Sequence, residues 1–173
     1  MIDESGFMLQ PLACWTWVPK GRTPILYIWA CGDRLSGIAA LTVSPKQKRL
    51  GLYFQIYRYN IRSEQVFAFL TWLRRHLGRK FILVLDKCIV HRKAVRLFKA
   101  RYPEGLEVER LPAYAPDLNP VEMVWNYTKY AELANFIAED LDELEVSVSR
   151  SLGKVRAATH LLGSFFRHAR LEL

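Results

Sequence analysis

Cysteine is scarce in this chain. Cys14, Cys31 and Cys88 are the only three in 173 residues, too few and too scattered for a disulfide framework, and no CxxC pair or Cys/His cluster offers a zinc site. A reducing, cytoplasmic compartment fits that usage. Long apolar runs are lacking as well. The longest, such as ILYIWAC, fall far short of the roughly 20 residues that a membrane-spanning helix needs, so no membrane is expected as a partner. The opening MIDESGF is acidic and without an apolar stretch, unlike a secretory leader. Internal repeats and low-complexity tracts are missing. Acids are in short supply: 17 Asp and Glu against 25 Lys and Arg leave a net charge of +8. The deficit is local. From Arg74 to Arg101 ten Lys or Arg accompany one acid, Asp86. A solvated basic face accounts for part of that, and attraction to a polyanion for the rest.

What is present is a globular composition. A hydrophobic fraction of 51% supports a real core, and 24% charged residues is ordinary, so one domain, or one domain with an appendage, is expected. ILYIWACG (25–32) and GIAALTV (37–43) read as a hairpin around DRLS, and LGLYFQIYRY (50–59) as a third strand. SEQVFAFLTWLRRHL (63–77) has helical periodicity with Ser63 as N-cap. KFILVLD is a continuous apolar run, read as a strand buried on both faces. HRKAVRLFKARYP reads as a helix stopped by Pro103, and LEVERLP as a short strand. A helix from Pro120 to about Asn135 follows, then two more from Asp140, broken near Gly153 and Gly163. Strands, helix, strand, helix, strand, helix make an α/β fold with a mixed sheet, whose ligands collect at the carboxyl ends of strands.

Three acids stand at such places. Asp86 closes the apolar strand, where a carboxylate is costly to desolvate. It is read either as a metal ligand, or as a cap for the next helix, or as a partner of Lys87 or Arg92. Glu122 lies three residues after Asn119, with Pro120 between them, which is capping-box spacing. Asp3, taken alone, is an acid near the start of the chain. As a set the three acquire another meaning. Phosphoryl transfer on a nucleic-acid backbone needs an activated hydroxyl and a stabilised leaving oxygen, and two Mg²⁺ (or Mn²⁺) ions about 4 Å apart do both. Such ions take oxygen ligands, so convergent carboxylates beside a basic surface are the minimum a protein must supply.

DESGF, WVPKGRTP, VLDKCIVH and LPAYAPDLNPVEMVW together resemble the DDE transposases of the mariner superfamily, in particular its bacterial insertion-sequence branch. The last string is long and specific, and the resemblance covers about residues 3 to 130. It implies an RNase H-like mixed β-sheet flanked by helices, with a catalytic core over 1–135 and a helical tail over 136–173. It implies Asp3, Asp86 and Glu122 as catalytic acids and as ligands of divalent ions. The 35 residues between Asp86 and Glu122 are close to that group's spacing. DNA is the implied partner, both element ends and target, and a homodimer the implied assembly. The implied chemistry is cleavage by water, then attack of the freed 3′ hydroxyl on target DNA.

Departures from the pattern shape further expectations. Only Met1 and Ile2 precede Asp3, where the family has a longer apolar strand, so a truncated first strand that anchors Asp3 poorly is expected. The family's upstream helix-turn-helix domains have no counterpart here, and Lys87 stands where Asn is usual. A competing expectation is an inactive remnant that binds DNA non-specifically. A nuclease acting on RNA–DNA hybrids ranks lower. His91 keeps its motif position, either orienting a phosphate or a neighbouring side chain, or serving structure at a helix start. Arg92, Arg96 and Lys99 fall at i, i+4 and i+7 on the helix after it and form one stripe for DNA phosphates.

Overall fold

A computed structural model describes the chain except residues 23, 24, 26, 28–31, 47, 48, 113, 114 and 173. Strand β1 (Ile2–Met8) pairs antiparallel with β2 (Arg34–Val43), which pairs antiparallel with β3 (Leu50–Tyr57). Helix α1 (Ser63–Leu77) leads to β4 (Phe81–Leu85), and α2 (Ile89–Arg101) returns to β5 (Leu106–Arg110), parallel to β4. β1 lies beside β4, so the expected mixed sheet takes the form of two hydrogen-bonded pieces set edge to edge. Helices α3 (Pro120–Tyr127), α4 (Leu141–Ala157) and α5 (Thr159–His168) complete the chain.

The two-residue period of the strands divides the core into two layers. Ile38 and Ala40 of β2 join Ile2, Leu83 and Leu85 under α1 and α2. Leu35, Ala39 and Leu41 face the other way, with Phe7, under α3, α4 and α5. Gly37 lies where α3 meets the sheet: a Cβ there would stand 3.3 Å from side-chain atoms of Ile56, Phe7 and Trp125, so a larger residue would require those side chains to shift. Among the described residues no helix is long and apolar enough to cross a membrane.

Several local expectations are corrected. β2 begins at Arg34, inside the segment read as a turn, and its partner is β1. The strand expected at 25–32 falls largely outside the described residues. β4 is covered on one face only: Leu83 and Leu85 are buried while Ile82 is 62% exposed, because the helices of the other layer do not extend over it. α1 is capped by Arg62, whose amide donates to the Gln65 side chain at 3.0 Å; Ser63 is the first helical residue. α1 ends at Gly78, in the left-handed region at φ 64°. α3 stops at Tyr127, and a wide π turn over Thr128–Glu132 replaces the expected continuation to Asn135. The final helices break at Ala158; Gly153 and Gly163 lie inside them.

Candidate active site

Asp3 sits within β1, opposite Ala39 of β2. The strand that holds it is made by the residues that follow it, and Met1 extends the pairing through its own amine and carbonyl to Leu41. The expected weak anchoring is therefore absent: β1 runs seven residues, all paired with β2. Alternation sends Asp3 toward α3 and its neighbour Glu4 toward α2.

On the α3 side, the buried Trp125 indole donates to Asp3 Oδ2 at 3.1 Å. Burial, then the charge of Glu122, then that of Glu4 push the Asp3 carboxyl up to about 7, against the indole and a backbone donor that act to lower it. Glu122 projects from the first turn of α3. The helix start needs nothing from its carboxylate. Asn119 is the N-cap, its side chain accepting from the Val121 amide at 3.3 Å, with Pro120 in the first turn. The Asn119 amide, which a capping-box glutamate would accept from, donates instead to the Pro116 carbonyl at 2.8 Å. The cap fixes where the helix begins, and the Glu122 charge bears on Asp3. Lys129, seven residues further on, is half-buried next to both acids. Burial lowers its pKa while Glu122 and Asp3 act to raise it. Its ammonium donates to Ser5 Oγ at 2.7 Å and lies 5.4 Å from the Phe7 ring centre.

On the α2 side, Asp86 follows the last residue of β4. Its Oδ1 accepts from the Cys88 amide at 2.9 Å and from His91 Nδ1. Part of the capping reading thus holds, through a turn just ahead of α2. Neither Lys87 nor Arg92 pairs with Asp86 among the described residues; both are exposed. Asp86 itself is 55% exposed. His91 is 2% exposed, and its Nε2 is shared between the two Glu4 oxygens at 2.8 and 2.9 Å. Burial alone would lower its pKa, but Glu4 and Asp86 outweigh that and raise it to about 9. Of the readings of His91, the structure favours the orienting of a neighbouring side chain over contact with phosphate: both ring nitrogens are engaged by carboxylates, and the ring links two of them as an imidazolium. Arg92, Arg96 and Lys99 are exposed along α2.

The site therefore has two acid pairs on opposite faces of β1. Asp3 and Glu122 are compensated incompletely, by Lys129. Glu4 and Asp86 share the single charge of His91, which hydrogen-bonds both, whereas the Lys129 ammonium donates to Ser5 and bonds neither Asp3 nor Glu122. Among the described residues no three His, Cys, Asp or Glu side chains are grouped to hold a metal. The donor chemistry of the first pair nevertheless fits a hard cation, because two carboxylates that repel each other in a partly dry site are relieved by a proton or by a divalent ion. Glu4 and Lys129 escape notice in the sequence, although β alternation predicts the opposite orientation of adjacent acids and the two helical turns from Glu122 to 129 predict one face.

A family model described as DDE superfamily endonuclease matches residues 1–145. The chain belongs to that family. It is 33% identical over 67 residues to an uncharacterised protein, y4pE/y4sA of Sinorhizobium fredii, covering 39% of this chain and 47% of that one. The fold is similar to solved structures of the Mos1 transposase: a pre-cleavage transpososome (TM-score 0.67, 19% identity, 98% of this chain and 51% of the other) and a strand transfer complex (0.66, 19%, 98% and 49%). A Mos1 mariner paired-end complex with Mn also matches (0.64, 17%, 98% and 50%). The chain thus spans about half the length of these Mos1 chains. This similarity shows the fold, an RNase H-like α/β sheet with flanking helices.

Proposed function

We propose that this chain is the catalytic part of an insertion-sequence transposase of the mariner type, a metal-dependent endonuclease that cuts DNA and joins the freed end to a target. Residues 1–135 are its core and 136–173 its helical tail. Asp3, Asp86 and Glu122 are the carboxylates that hold Mg²⁺ or Mn²⁺. When bound, the ions supply an acidified water and stabilise the leaving oxygen. The observation that carries the reading is the crowding of Asp3 by Glu122 on one face of β1, while Asp86 follows β4, the strand beside β1, and is linked through His91 to Glu4, the next residue of β1. In a dry site such charge is retained only where a cation answers it.

The protein's own residues do the rest. Trp125 fixes which oxygen of Asp3 stays free. Lys129, half-buried beside both acids, offsets part of the charge of the pair that would hold the ion. His91 sets the orientation of Asp86 from behind. Arg92, Arg96 and Lys99 hold the backbone of DNA on the outer face of α2. A homodimer is the assembly this reading implies, since two element ends must be joined in one reaction.

The test is nicking of supercoiled plasmid by the purified chain with Mn²⁺, beside Asp86→Asn. Nicking by the first and not by the second is expected. Equal nicking by both would sink the assignment of Asp86, and DNA binding without nicking by either would mark a chain that keeps the fold but not the chemistry.

A further inference from the structure

The end of the molecule opposite Asp86 carries a feature that the three-carboxylate site does not use. A cleft of about 770 Å³ opens between the C-terminal ends of α1 and α2, lined by Arg74, Arg75, Arg79, Lys80, Arg101 and Tyr102 among others, with Glu104 as its one lining acid. The guanidinium carbons of Arg74 and Arg101 lie 4.4 and 5.8 Å from the Tyr102 ring centre. We propose that this cleft is a second contact surface for nucleic-acid backbone, at the far end of a track that runs along α2 from the carboxylate site.

Helix dipoles alone do not account for the cluster. Cations favour helix C-termini, but the effect fades within the last turn. Both ends are already closed by backbone bonds, Gly78 N–H to the Arg74 carbonyl at 3.0 Å and Tyr102 N–H to the Phe98 carbonyl at 2.8 Å. Arg79 and Lys80 stand past the end of α1, on the approach to β4. Among the described residues Arg74, Arg75, Arg79 and Arg101 make no ion pair. Lys80 reaches only Glu107, at 3.9 Å with both side chains at least 70% exposed, which neutralises little. Five like charges around one depression repel each other unless an anion lies among them.

The arrangement suits an extended anion. The cleft is open, and its cations sit along the rim, not around one buried point. The exposed Arg96 and Lys99 continue the line toward Arg92 and the Asp86 end. α2 is 13 residues long, roughly 20 Å at 1.5 Å per residue, which is the rise of about six base pairs. Guanidinium groups stacked on a tyrosine keep their N–H edges presented outward, a geometry that matches phosphate oxygens. The inference rests on the proposed function only in taking DNA as the polyanion; binding at the cleft needs no cleavage.

The experiment is binding of a labelled 30-base-pair duplex by the full chain in EDTA, followed by anisotropy across a salt series. Arg75→Gln/Arg79→Gln/Lys80→Gln is compared with Lys46→Gln/Arg150→Gln/Arg170→Gln, an equal loss of charge at exposed positions elsewhere. The cleft variant is expected to bind about tenfold or more weaker, with a salt slope shallower by roughly 0.9 for each phosphate it no longer neutralises. The control is expected to keep the slope of the unmodified chain. Equal weakening in the two variants, or an unchanged slope in the first, would overturn the proposal. So would displacement of the duplex from the unmodified chain by polyglutamate as readily as by unlabelled duplex, which would mark an acidic protein segment as the occupant. If Asp86→Asn nicks plasmid as well as the unmodified chain does, the three-carboxylate assignment fails while the slopes still decide the cleft.

Discussion

Asp3 and Glu4 are neighbours in the chain and opposites in the fold. Glu4 meets His91, an imidazolium that is itself shared with Asp86, and its charge is answered inside the protein. Asp3 meets a second carboxylate, with one indole donor and a lysine that is tied to Ser5. The difference is a matter of compensation. Glu4 is tied by direct hydrogen bonds to a buried cation and holds structure together, whereas Asp3 is crowded with no cation bonded to it and is held ready for something from outside. One residue of strand alternation separates the two roles.

The largest expected effect breaks the comparison at the level of chemistry. Asp3→Asn or Glu122→Gln should reduce Mn²⁺-dependent plasmid nicking to background, while Glu4→Gln should leave it measurable, reduced by roughly 10–100-fold, as expected when a group behind the ligands is altered and the ligands are kept. If Glu4→Gln is as inactive as Asp3→Asn, the division of roles across β1 is wrong.

Stability against pH sharpens the same contrast. With EDTA present, Asp3 costs nothing while protonated, and its penalty grows as pH rises from 3.8 to about 7. The gain from His91 is complete below 6.5 and gone above about 9. Both make the metal-free protein less stable as pH rises, but in different windows. Asp3→Asn should remove the lower one and stabilise the protein at pH 8 by roughly 2–4 kcal/mol, after allowance for partial solvent access. Mn²⁺ should do likewise without mutation. Glu4→Gln should flatten the upper window and cost roughly 1–3 kcal/mol at pH 6, the worth of a hydrogen bond to a charged group. Thermal melts at pH 5, 7 and 9 would separate them, and a Tm of Asp3→Asn that falls at pH 8 would contradict the crowding.

Smaller effects test the supports. Trp125→Phe keeps the edge-on packing against Phe7 and removes the indole donor. It should raise the pH at which Asp3 ionises further and cost about 1 kcal/mol, read from melts across pH 6–9. Asn119→Ala should cost about 1 kcal/mol because the helix loses its cap, with nicking impaired less than in Glu122→Gln because the Pro116 turn still directs the helix. A Glu122→Gln variant that melts like Asn119→Ala and still nicks would return Glu122 to a capping role.

Much of the fold is legible in the chain because it is local. The bounds of α1 follow from Val66, Leu70 and Leu73 recurring at helical spacing, β4 from a short apolar run, and β5 from the alternation of LEVER. The hairpin expectation fails because ILYIWACG and GIAALTV are equally strand-like. Pairing is decided by which partner buries the better face, and β1 supplies Phe7 and Ile2 to the two layers. The glycines at 153 and 163 are poor guides to the helix break, since a helix packed on a sheet tolerates glycine where tertiary contacts hold it. The motif position of His91 suggests a residue that meets phosphate, and burial between two acids is invisible without the third dimension.

The sequence by itself determined α1, β4, α2 and β5, the basic excess and the three acids with the motifs around them, since each depends on neighbours within a turn or two of chain. Only the tertiary structure decided which acids are crowded and which are neutralised. That follows from the register of Asp3 against Ala39, the side of β1 on which α3 docks, and the reach of His91 from α2 to Glu4 across 87 residues of sequence. Electrostatic compensation acts through a few ångströms of space in a poorly polarisable interior, and chain separation does not enter it.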